Sequence, residues 1–183
     1  MNDLSERTIK TEHIFSGKVV SLQVDEVELP NGKTSQREIV KHPGAVAVIA
    51  VTPEKKMVLV EQFRKALERV LVEIPAGKLE KGEDPYDTAM RELEEETGYA
   101  CKNLEFVASF YTSPGFCNEI VHVYAAKDLY KKENPAATDE DEFVNVMEVS
   151  LDEALQLMAE KKIYDAKTAF AVQYLQLQEA ISG

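Results

Sequence analysis

The spacing of apolar and polar residues changes period several times along the chain, and each change marks an element. Between residues 8 and 42 apolar positions recur at period two, which predicts strands over 9–15, 19–29 and 35–41, with Pro30-Asn31-Gly32 as a turn. Residues 44–51 form a nearly unbroken apolar run, as expected of a strand covered on both faces. A strand over 57–63 follows across the turn Pro53-Glu54-Lys55-Lys56, and further strands are expected over 104–111, 119–126 and 143–149. Helical periodicity appears at 151–161 and 165–179. The expected class is α/β (α+β): a mixed sheet sandwiched between helices in a domain over 43–183, preceded by an antiparallel β arm over 1–42. Such an arm carries too little apolar material for its own core and should pack on another surface, such as a second subunit. The segment 131–142, KKENPAATDEDE, predicts a mobile loop from its charge and proline.

A further helix stands out for its chemistry. Asp84-Pro85 supplies an N-cap and first-turn proline, and Gly98 sits where a left-handed cap closes a helix. At about 100° per residue, Tyr86, Ala89, Met90, Leu93 and Thr97 gather on one arc while Glu92, Glu95 and Glu96 share the neighbouring one. Carboxylates at i and i+4 repel, so Glu92 with Glu96 is locally unfavourable unless a cation lies between them. Hard divalent cations take oxygen ligands, and Mg²⁺ binds through a few carboxylates together with phosphate oxygens of a substrate. The pattern therefore fits a Mg²⁺ site that handles phosphates. An acidic helix is by itself most often a solvated face. Seven fixed identities from Gly77 to Gly98 nevertheless have a chance expectation on the order of 10⁻⁹ to 10⁻⁷ per starting position.

Composition limits the alternatives. A chain of 183 residues, 44% hydrophobic, can bury roughly 70% of its unfolded surface, enough for one domain with a modest extension. The net charge of −12 argues against nucleic acid or an anionic membrane as partner. The opening MNDLSERTIK lacks the apolar run of a signal peptide, and no stretch approaches the roughly 20 apolar residues of a membrane span, so a cytoplasmic protein is expected. Cys101 and Cys117 have no CxxC spacing and should stay reduced. His13, His42 and His122 show no metal-ligand spacing.

The stretch 77–99, GKLEKGEDPYDTAMRELEEETGY, resembles the Nudix box throughout: Gly77, five residues, Glu83, seven residues, then Arg91-Glu92-Leu93-x-Glu95-Glu96-x-Gly98-Tyr99. The resemblance implies a Nudix fold and hydrolysis of a nucleoside diphosphate linked to some other moiety. Outside the box, Ser113-Pro114-Gly115 followed by Glu119 is similar to the Ser-Pro-Gly-x-x-x-Glu loop of ADP-ribose pyrophosphatases. Arg37-Glu38, Glu61-Gln62-Phe63-Arg64 and Glu73-Ile74-Pro75-Ala76 are similar to the same subfamily.

That resemblance implies Mg²⁺-dependent cleavage of ADP-ribose to AMP and ribose 5-phosphate, with two or three ions per site and Mn²⁺ as the alternative metal. It assigns Glu92 and Glu96 as principal ligands, Glu95 as a second-site or bridging ligand with a part in catalysis, and the Ala76 carbonyl as a further ligand. In the loop Asp139 to Glu142 it implies Glu140 as general base, with Glu142 nearer the metals and second choice as base. Arg64 would meet a substrate phosphate or base edge, and Arg37 with Glu38 the adenine or ribose. Lys78, Ser113, Pro114, Gly115 and Glu119 complete the substrate contacts, while Arg91 would orient a box glutamate and Glu83 support the site. A negative protein must draw an anionic substrate through bound metal and placed cations, which makes Arg37, Arg64 and Mg²⁺ essential. The resemblance also implies a homodimer through the arm, with partner residues lining the substrate site. Other readings are a different nucleoside diphosphate sugar or a dinucleotide as substrate, and a non-hydrolysing domain that senses nucleotides. A structural Ca²⁺ site or plain acidic surface is a third.

Overall fold

A computed structural model describes residues 3–136 and 143–182. The chain groups into two compact units, one holding the residues up to 44 with 110–120, the other 45–109 with the residues from 121 onward. Segment 110–120, which the sequence pattern assigns to the main domain, thus groups with the arm.

In the first unit, β1 (Arg7–Ser16), β2 (Ser21–Glu28) and β3 (Thr34–Lys41) form an antiparallel meander in that order. The expected turn is present, with Gly32 at φ +78° donating its N–H to the Leu29 carbonyl at 2.8 Å, a conformation suited to glycine. Asp25 and Val27 of β2 are buried, and the Asp25 carboxylate accepts from the Thr11 hydroxyl at 2.7 Å and the Gln23 amide at 3.0 Å. All ten residues of β1 are exposed. Segment 110–120 meets β3 through the Val40 N–H, which donates to the Phe116 carbonyl at 2.8 Å.

The second unit is built on a mixed four-stranded sheet, ordered β7 (Ala76–Lys78), β4 (Ala45–Ile49), β10 (Ile120–Lys127), β9 (Asn103–Tyr111). β10 runs parallel to β4 and β7 antiparallel to it. A second, antiparallel sheet joins β12 (Val144–Val149), β5 (Met57–Arg64) and β6 (Arg69–Glu73). A two-residue pair connects β11 (Tyr130–Lys131) with β8 (Tyr99–Ala100). The helices are α1 (Pro85–Thr97), α2 (Leu151–Ala159) and α3 (Ala166–Ser182). Among the described residues no helix is long and apolar enough to cross a membrane.

The apolar run predicted to be covered on both faces is β4. Val46 and Val48 join Ala89 and Leu93 of α1 in one buried cluster, while Ala47 and Ile49 on the opposite face are equally buried. The caps of α1 are those the sequence predicts. The Asp84 side chain accepts from the Tyr86 N–H at 2.8 Å, Pro85 opens the helix, and Gly98 at φ +71° closes it. α2 starts in a reciprocal capping box between Ser150 and Glu153.

Four strands go beyond the predicted elements: β6, β7 and the two-residue pair β8 and β11. β6 is five residues and β7 three, too short to show a period, and each is ordered by its pairing, β6 with the preceding β5 and β7 with the distant β4. The segment predicted as a mobile loop is fastened at its near end. Lys131 pairs with Tyr99, and the Glu94 carboxylate accepts from Lys132 Nζ at 2.7 Å and the Ala136 N–H at 2.9 Å.

Candidate active site

The box folds so that the N-terminal half of its glycine strand lies against the acidic face of α1. Val46 pairs with Gly77 and Ala47 with Ala76, which sets β7 along the edge of β4 beside the helix. A Cβ on residue 77 would lie 1.9 Å from Glu92 Cδ and 2.0 Å from its Oε1, so the Glu92 carboxylate occupies the space that any other residue would fill. One residue earlier, the Ala76 N–H donates to Glu96 Oε2 at 2.9 Å. Glu92 and Glu96 are only 8% and 4% exposed. Glu92 and Glu96 thus belong to the interior, while Glu95 on the same arc is half-buried.

Burying carboxylates is costly unless they are paired and hydrogen-bonded. Arg91 supplies much of the pairing, with Nη1 donating to Glu92 Oε1 at 2.9 Å and Glu95 Oε2 at 2.8 Å. Its Nη2 and Nε reach Glu83 at 3.2 and 3.3 Å. The Arg91 hydrogen bond holds the Glu83 carboxyl below its ordinary value, and the bond to Glu83 raises the Arg91 pKa in turn. The orienting role predicted for Arg91 matches this geometry, with Glu83 just outside the helix.

Mg²⁺ is the ion this donor set is tested against. Among the described residues no three acidic, His or Cys side chains already converge as a metal cage, because Arg91 draws Glu92 and Glu95 to itself and Ala76 draws Glu96. The chemistry nevertheless fits a hard divalent cation. The donors are all oxygen, three carboxylates (Glu83, Glu92 and Glu95) share the Arg91 guanidinium, and the Gly77 cradle brings backbone up to Glu92.

A second cluster lies on β5, β6 and the start of α3. Arg64 grips Glu73 at two points, Nε to Oε1 at 2.7 Å and Nη2 to Oε2 at 2.6 Å. Lys167 Nζ also donates to Glu73 and lies 3.0 Å from Asp165 Oδ1. Thr168 Oγ1 accepts from the Ile74 N–H at 3.0 Å. Glu73 is 1% exposed, and burial pushes its carboxyl up, but the Arg64 hydrogen bond and the Lys167 ammonium outweigh that and bring it down to about 2. The roles of Lys167 and Thr168 have no signal in the sequence, because their partners Glu73 and Ile74 lie 94 residues away.

The remaining candidates divide between the units. Lys78 is exposed on β7. In the first unit Arg37, Pro114 and Gly115 line an open cleft of about 480 Å³, together with Glu6, Tyr111 and Cys117. Glu6 binds Arg37 at two points, with Nε to Oε2 at 2.9 Å. Glu38 does not line that cleft: it follows Arg37 on a strand, so its side chain points to the opposite face. The Ser113 carbonyl closes the loop by accepting from the Cys117 N–H at 2.9 Å, and Glu119 lies 3.6 Å from His42 Nδ1. Glu140 and Glu142 lie outside the described residues.

The Glu73 cluster gives a pH prediction. Its folded pKa of about 2 is below the ordinary 4.5, so its stabilisation is complete above about pH 5 and lost as pH falls through 2. Urea unfolding of the wild type should therefore lose roughly 3 kcal/mol more between pH 5 and 2 than that of Glu73→Gln. Parallel pH curves for the two proteins would refute the assignment.

Comparison with known proteins agrees with this geometry. The NUDIX domain family matches residues 41–170. A methanol dehydrogenase activator from Bacillus methanolicus is 70% identical over 176 residues, covering 96% of this chain and 95% of the relative. An ADP-ribose pyrophosphatase from Bacillus subtilis (strain 168) is 64% identical over 183 residues, covering 100% of this chain and 99% of the relative. A crystal structure of an ADP compounds hydrolase superposes with a TM-score of 0.85 at 19% identity, over 100% of this chain and 99% of that one. With a glycine strand cradling buried carboxylates and a family match over most of its length, the chain belongs to the Nudix family.

Proposed function

We propose that the protein is a Mg²⁺-dependent hydrolase that cleaves ADP-ribose to AMP and ribose 5-phosphate. The observation that carries this reading is the seating of Glu92 on Gly77 beside Glu96, in a chain 64% identical to an ADP-ribose pyrophosphatase. Water adds to one phosphorus of the diphosphate, the bridging P–O bond breaks, and its electron pair leaves with the departing phosphate. Bound Mg²⁺, as two or three ions, supplies neutralisation of charge on the phosphoryl oxygens.

The chain's own residues then have distinct tasks. Glu92 and Glu96 are the principal metal ligands, with Glu95, Glu142 and the Ala76 carbonyl completing the set. Glu140 takes the proton from the attacking water. Arg91 holds Glu92 and Glu95 in position before metal enters. Arg64 meets the diphosphate through the edge of its guanidinium that Glu73 leaves exposed. Lys78 adds a cation from β7, and Arg37 with Ser113, Pro114, Gly115 and Glu119 contacts the nucleoside and ribose, with Glu38 doing so from the other face of β3. The arm over 1–42 joins a second copy, and the catalytic domain over 43–183 works in the cytoplasm. The arm reading is supported by the exposure of Ile9, Ile14 and Phe15 along β1, and a monomer in light scattering would sink it.

A second reading is favoured by the 70% identity to a methanol dehydrogenase activator: the protein also acts on a methanol dehydrogenase as partner. Adding it to such an enzyme should raise that enzyme's rate, and an unchanged rate would dismiss this reading.

Release of AMP from ADP-ribose, followed with and without Mg²⁺, tests the hydrolase. Activity should require the metal, Glu96→Gln should raise the Mg²⁺ concentration needed and cut turnover strongly, and Glu140→Gln should lower turnover by about 10²- to 10⁴-fold at unchanged metal affinity. Full turnover in Glu140→Gln would overturn the base, and metal-independent AMP release would overturn the mechanism.

A further inference from the structure

We infer that Glu73, backed by Lys167 and Asp165 at the start of α3, is a positioning residue that fixes Arg64 for the substrate diphosphate. The inference rests on the reading that Arg64 contacts that diphosphate, and it adds a part of the fold, α3, that the box motif does not include.

The geometry of the fork carries it. A guanidinium has five N–H donors in one plane, and Glu73 engages Nε and one hydrogen of Nη2. Nη1 makes no hydrogen bond among the described residues, and the Arg64 side chain is 39% exposed. The outer edge of the fork therefore stays available to an anion, while the inner edge is held at two points and has lost its rotational freedom. Arg64 sits at the C-terminal end of β5 and Glu73 at that of β6, so without a clasp the long side chain would sample many rotamers.

A carboxylate alone would hold Arg64 but also cancel its charge. Lys167 shares Glu73 with Arg64, so the carboxylate is divided between two cations, and Asp165 in turn receives Lys167. Two carboxylates and two cations balance within the cluster, and Arg64 keeps an exposed positive edge. The Glu73 side chain is 2% exposed and that of Lys167 14%, so neither is placed to touch substrate directly. The same short segment serves both halves of the site: Glu73 clasps Arg64, the Ile74 N–H is tied to Thr168, and the Ala76 N–H holds Glu96. Glu96 also contributes to the field that keeps Arg64 charged, after the dominant hydrogen bond that Arg64 donates to Glu73.

The test is a double-mutant cycle in the full chain, reading KM and kcat for ADP-ribose at saturating Mg²⁺. Arg64→Ala should raise KM roughly tenfold or more, the loss expected for a charge-assisted hydrogen bond. Glu73→Gln should raise KM similarly with a smaller effect on kcat, and should add little in the Arg64→Ala background. Glu73→Asp, which keeps the buried charge but draws the clasp back by one methylene, provides the same readout if Glu73→Gln does not fold. An unchanged KM in Arg64→Ala would overturn both the diphosphate contact and the positioning role. A raised KM in Arg64→Ala with wild-type KM in folded Glu73→Gln or Glu73→Asp would overturn the positioning role alone. Full additivity of the two changes would do so as well.

Discussion

The carboxylate of Glu92 lies where the side chain of residue 77 would be, and the candidate site depends on that exchange of a side chain for a carboxylate. Only a residue without Cβ lets the strand approach the helix so closely. The approach is enforced from both sides. β7 is paired to β4 at Val46 and Ala47, and α1 is seated on β4 through Ala89 and Leu93. Glu96 is then tied to the same strand by the Ala76 N–H. Two buried carboxylates held side by side against one strand are an all-oxygen donor set of the kind a hard divalent cation takes.

The same constraint resolves how a strongly acidic protein meets an anionic substrate. With a net charge of −12 the overall field repels a diphosphate, so attraction has to be local. In the proposed mechanism bound metal would supply it on the helix side, and Arg64 on the strand side. A freely moving arginine beside so many carboxylates would collapse onto one of them, and here it is already committed to Glu73 by one edge only.

Elements governed by local chemistry were legible in the sequence. Asp84, Pro85 and Gly98 determine where α1 starts and stops, and β4 declares itself as an unbroken apolar run. The box was legible as one pattern, with Gly98 as the cap that closes α1 and Arg91 as the ion-pair partner of its glutamates. What escaped is set by distance along the chain. β6 and β7 are too short to carry a period, and Glu73 reads as an ordinary strand residue until Lys167 arrives from α3. The helical wheel of α1 separates a packing face from an acidic one, yet Glu92 and Glu96 on the acidic one are buried too, because the wheel has no knowledge of β7. The resemblance groups Arg37 and Glu38 as one pair of substrate contacts, but strand alternation sends them to opposite faces.

Crystals of the protein soaked with Mn²⁺ and a non-hydrolysable ADP-ribose analogue, examined by anomalous scattering, test the central claim most directly. The account predicts anomalous peaks bonded to the Glu92 and Glu96 carboxylates, with the Arg91 to Glu92 contact opened to admit the metal and Gly77 still in place against the helix. Intact Arg91 contacts to Glu92 and Glu95, with no peak at the box while the analogue is bound, would contradict it.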